Sequence, residues 1–80
     1  MTKTELLYNL IRIAICKYIF IPLKCTREDI GLLSTELNLL IESDNLEYDN
    51  WYNLFKKHLK LDGYGELTSL VGYVKNHFRQ

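Results

Sequence analysis

One proline, one alanine and four glycines in 80 residues leave little material for irregular or repetitive chain. A collagen repeat, a Gly-rich linker and a Pro-rich tract are excluded on that count. Excess charge is lacking too. Ten Lys+Arg face ten Asp+Glu, so the chain as a whole is not a polycation built for phosphate backbones. Cys16 and Cys25 are the only cysteines. Small secreted scaffolds carry more, so both read as free thiols in a reducing compartment. No apolar run is unbroken. Asn9, Arg12 and Lys17 interrupt Leu6 to Leu23, and a charge at a bilayer centre costs about 2.5–3.5 kcal/mol on insertion scales. Glu5 in the leader and the lack of a small-x-small cleavage site argue against a secretory signal. The expectation is a cytoplasmic chain with no membrane partner.

Reactive constellations are missing as well. His58 and His77 stand nineteen positions apart, and neither belongs to a cluster of ligands at short spacing that forms a recognisable metal site. Cys16 sits in the most apolar stretch. Cys25 stands beside Lys24 and Arg27, cations that can lower a thiol pKa, but a lone loop thiol without a base reads as just a thiol. Asp29 and Glu36 read as rim carboxylates, not as an acid–base pair. Gly63-Tyr64-Gly65 lacks the strand and spacing of a phosphate loop. The chain is therefore not expected to be an enzyme, and no cofactor or metal is expected.

What is present is helical periodicity and a globular balance of 48% apolar and 25% charged residues. Residues 1–80 read as one small domain, burying only about 60% of the surface of the unfolded chain. Thr2 and Glu5 have capping-box spacing ahead of segment 5–21, in which only a narrow stripe is polar. Pro22 ends that segment. Thr26 caps a second segment with Glu28 and Asp29 in its first turn, fading at Ser43-Asp44-Asn45. In a third, beginning at or just before Asp49, Trp51, Leu54, Phe55, His58 and Leu59 fall at i, i+3, i+4, i+7 and i+8. Gly63 is placed as its left-handed stop. Glu66 to about Phe78 forms the fourth. Four amphipathic segments with short connections predict an all-α fold, a small antiparallel four-helix bundle. Segment 1 is expected to be its most buried helix, or to offer its extra apolar face to a second copy as a homodimer surface.

Charge is segregated along the chain. Residues 1–27 carry +4, residues 28–55 carry −7 with no base, and residues 56–80 carry +3. Around Asp44 to Tyr52, three acids interleave with three aromatics. Tyr and Trp are favoured at binding hot spots. Trp51 is assigned to the core, and Tyr48 and Tyr52 are expected as exposed anchors. The favoured reading is a small interaction module whose surface comprises Glu36, Glu42, Asp44, Glu47, Tyr48, Asp49 and Tyr52. It would neutralise a basic protein partner, such as a nuclease toxin, by occlusion, as immunity proteins and antitoxins do. The alternative is a nucleic-acid-binding regulator using Lys56, Lys57 and Lys60 with Lys75 and Arg79, dimeric through segment 1. A third reading is a subunit of a larger assembly.

Overall fold

The computed structural model describes residues 2–78, which are all-helical: α1 (Lys3–Tyr18), α2 (Arg27–Glu42), α3 (Tyr48–Leu59) and α4 (Leu67–Asn76). Local chemistry sets the first two starts. Thr2 Oγ1 accepts from the Glu5 amide at 3.1 Å, and its hydroxyl donates to the Glu5 carboxylate at 3.2 Å. At α2 the capping box is complete. Thr26 Oγ1 accepts from the Asp29 amide at 3.3 Å, and Asp29 Oδ2 accepts from the Thr26 amide at 2.8 Å. In each helix one of the orphan amides of the first turn thereby finds a side-chain acceptor.

The first helix stops at Tyr18, three residues before the expected Ile21. Ile19 is extended (φ −107°, ψ 120°), and Ile21 is held away from the helical region because it precedes Pro22. The Phe20 amide, released from the helix, donates to the Tyr64 hydroxyl at 3.2 Å. The third helix stops early as well. Lys60, not Gly63, takes the left-handed residue at its end (φ 56°). Gly63 is left-handed too (φ 76°), but within the turn between α3 and α4.

The four helices form the expected small antiparallel bundle. Each packs on its neighbours in the chain, and α1 and α4 close the ring. Segment 1 takes one side of that ring. A helix in a ring touches two neighbours and turns its remaining face outward, so α1 buries Leu7, Leu10, Ile11 and Ala14 while Leu6 and Ile13 stay exposed. With Ile19 just past the end of α1, segment 1 contributes five buried residues, against four each from α2 and α4. Trp51, Phe55 and Leu59 of α3 are fully buried and meet Leu67, Leu70, Val71 and Val74 of α4 in one shared core. Ser34 is the only fully buried polar residue among those described. Its hydroxyl donates to the Ile30 carbonyl at 2.8 Å, so it carries no unmet bond into the core.

Candidate interaction surface at the α2–α3 joint

The acidic stretch sits where α2 turns into α3. The turn is a Schellman motif: the Asp44 amide donates to the Ile41 carbonyl at 3.0 Å, and the Asn45 amide to the Leu40 carbonyl at 2.8 Å. The motif needs a left-handed residue, usually glycine, and here that residue is Asp44 (φ 56°). Asn45 then organises the entry into α3. Its Oδ1 accepts from the Glu47 amide and from Asn50 Nδ2, both at 3.2 Å. Its carbonyl accepts from Trp51 Nε1 at 3.0 Å. A buried indole thus pins the backbone that carries the acids.

Glu42, Asp44, Glu47 and Asp49 are all exposed. Glu42 accepts from Asn38 at 3.0 Å, and Glu47 makes a long contact with Asn50 at 3.5 Å. None of the four is in an ion pair among the described residues. Glu42 also lies in the last turn of α2, which carries no base. A carboxylate there opposes the negative end of the helix dipole, against a usual effect of about 0.3–1 kcal/mol. Asp49, in the first turn of α3, is placed favourably.

The other expected site residues divide. Glu36 lies apart from the joint, farther up α2. Its Oε2 is 2.8 Å from Nε2 of the largely buried His58, so this carboxylate ties α2 to α3. Tyr48 and Tyr52, expected as exposed anchors, are half-buried and stacked on one another with ring centroids 6.0 Å apart. Tyr48 also donates its hydroxyl towards the Thr68 carbonyl at 3.4 Å. The Tyr48 hydroxyl thereby reaches from the start of α3 to α4.

Beside the acids, Leu40, Asn45, Asn50, Asn53, Leu54 and Lys57 line a shallow depression between α2 and α3. Its three asparagines escape a reading of charge and aromatic pattern. Asn50 and Asn53, three apart on one side of α3, are the only sequence signal that could have found it.

The lysine face is less available than its sequence suggests. Lys56 lies 3.6 Å from Asp62, and Lys60 lies 3.6 Å from Asp29. Lys57 is exposed at the rim of the depression, Lys75 is half-buried, and Arg79 lies outside the described residues. Asp29 is held below its ordinary carboxylate value, first by the Thr26 amide and then by the charge of Lys60.

Cys25 is not an activated thiol. Burial, with Asp29 adding to it, pushes its thiol upward, and Lys60 only partly offsets them. The neighbouring Lys24 and Arg27 do not activate it. Both cysteines are free thiols, and among the described residues no group of three or more His, Cys, Asp or Glu could hold a metal ion. Comparison with protein-family models, with curated proteins and with solved structures finds no match for this chain.

Proposed function

We propose that the chain is a small protein-interaction module that docks the α2–α3 joint on a basic protein partner. It would act by occlusion, as an immunity protein or antitoxin covers a cationic nuclease. One observation carries the reading: Glu42, Asp44, Glu47 and Asp49 are exposed on a pinned turn, with no cation paired to any of them among the described residues. Asp44 adds weight, because it occupies a left-handed position where glycine would be easier. An anionic surface of this kind steers a cationic partner and speeds encounter. The Asn45–Asn50–Asn53 depression would supply neutral hydrogen bonds beside the charges, and the half-buried Tyr52 an aromatic contact. Nucleic-acid binding is the weaker reading, because two of its three central lysines already face carboxylates.

The test is affinity capture from the source cell on immobilised chain. The wild type would run beside a variant with Glu42→Gln, Asp44→Asn, Glu47→Gln and Asp49→Asn. A basic protein held by the wild type, missed by the variant and released at about 0.3 M salt, where screening is severe, is the expected result. Equal capture by both chains, or capture indifferent to salt, overturns the reading.

A further inference from the structure

The α1–α2 connection has the opposite character to the joint. Ile19 is buried and anchors it, but Phe20 is 76% exposed and Ile21 47% exposed, with Pro22 exposed beside them. Among the described residues these are the only two large apolar side chains exposed at consecutive positions. The connection is held in place, since the Phe20 amide is bonded to the Tyr64 hydroxyl. Lys17, Lys24 and Arg27 flank it in the chain, all exposed and none in an ion pair among the described residues, with Lys17 lying 5.3 Å from the Tyr73 ring centre. Of the acids nearby, Asp29 and Asp62 face Lys60 and Lys56, while Glu28 lies one residue past Arg27 on the first turn of α2.

We propose that this connection is a docking tip for an anionic lipid surface. Phe20 and Ile21 would enter the headgroup–acyl boundary, and Lys17, Lys24 and Arg27 would face acidic headgroups. Among the described residues no helix is long and apolar enough to cross a membrane, so the contact is superficial. Charge selects the occupant. A second copy offers an apolar depression on α1, lined by Asn9, Arg12, Ile13 and Cys16, but seating the tip there sets its cations against Arg12. A bilayer boundary takes exposed apolar side chains beside cations without a shaped groove. The layout along α2 agrees. The tip lies at its N-terminal end and the carboxylates at its C-terminal end, about 24 Å away at 1.5 Å per residue. The four carboxylates of the joint are therefore held off the surface. The inference stands independently of the joint's proposed partner, because it uses none of the joint's residues.

The probe is flotation of the full chain with vesicles of phosphatidylcholine alone or with about a quarter phosphatidylserine, a mixture that gives the surface a negative potential. At low salt the chain should float with the anionic vesicles only. Phe20→Ser should lower its partition about tenfold, the lower end of what losing a buried phenyl ring implies. Lys24→Glu should lower it as well. Leu39→Ser, which changes another exposed apolar residue on α2, should bind as the wild type does, and far-UV circular dichroism should show all variants folded. Failure to float at low salt, or flotation unchanged by Phe20→Ser, overturns the proposal. So does lipid-free self-association that Phe20→Ser abolishes in sedimentation, which would assign the tip to a second copy.

Discussion

Replacing Trp51 with phenylalanine tests whether the indole holds the acidic joint in place. Trp51 is fully buried, its ring lies 6.4 Å from that of Phe78, and its Nε1 donates to the Asn45 carbonyl at 3.0 Å. A phenyl group at this position would keep one ring in the core and lose the other, together with the donor. Complete removal of a core Trp costs about 3–5 kcal/mol, so losing part of it should cost about 1–2 kcal/mol on the same scale. Loss of the hydrogen bond adds about 1 kcal/mol, because the carbonyl is left without its partner. The expected total of about 2–3 kcal/mol is a large share of the about 4–12 kcal/mol that a domain this size holds. With a urea slope of about 1 kcal/mol/M, the midpoint should fall by about 2–3 M. The transition should be followed by far-UV circular dichroism, since the substitution removes the only tryptophan. Amide exchange at Glu47 should quicken at the same time, because its N–H bonds to Asn45. A loss below about 0.5 kcal/mol, less than one ordinary hydrogen bond is worth, would refute the assignment of Trp51 as the pin.

Asp44→Gly should stabilise the chain by about 0.5–1 kcal/mol, since glycine removes the strain of a left-handed C-terminal residue. It should also weaken capture of a basic partner. A lowered melting temperature would contradict this. Glu36→Ala should cost about 0.5–1.5 kcal/mol by removing the His58 contact while leaving salt-dependent capture intact. The opposite pattern in urea and capture assays would return Glu36 to the binding surface. For pH, the Asp29 carboxyl lies below its ordinary value of 3.8 in the folded chain. Its contribution is therefore present above that value and is lost as pH falls through the depressed one. Urea midpoints taken from pH 5 downward, about one unit above the unfolded value, should fall more steeply for the wild type than for Asp29→Asn. Parallel curves would remove Asp29 from the acid response.

The fold is legible in the sequence because it rests on periodicity. Trp51, Phe55 and Leu59 recur at helical spacing, and all three are fully buried. Leu67, Leu70, Val71 and Val74 repeat the pattern and meet them. Where pattern misleads, tertiary context decides. Segment 1 looks buried all round because 5–21 is so apolar, but composition cannot say how many neighbours a helix will have. In a ring of four it has two, and Leu6 and Ile13 are left outside. Ile19, Phe20 and Ile21 continue the apolar run without continuing the helix, since Pro22 acts on the residue before it. The Tyr64 hydroxyl that satisfies the freed Phe20 amide is 44 positions away and invisible to local pattern.

Charge segregation is equally legible, but its meaning depends on which charges meet. A count of +3 over residues 56–80 suggests that the C-terminal lysines could neutralise the acidic middle or offer a free basic face. Lys60 instead reaches Asp29, at the far end of α2 from the joint, and Lys56 reaches Asp62, six residues along. Both choices follow from where α3 ends. Its lysines cluster near the C-terminus, as the dipole favours, and an antiparallel neighbour brings the N-terminus of α2 there, not its C-terminus. The same geometry that gives Lys60 a partner deprives Glu42, Asp44, Glu47 and Asp49 of one. The negative platform is thus a consequence of helix direction combined with the placement of lysines along α3. Moving a base towards the start of that helix, as in Asn53→Lys, should quench salt-dependent capture without touching a single carboxylate.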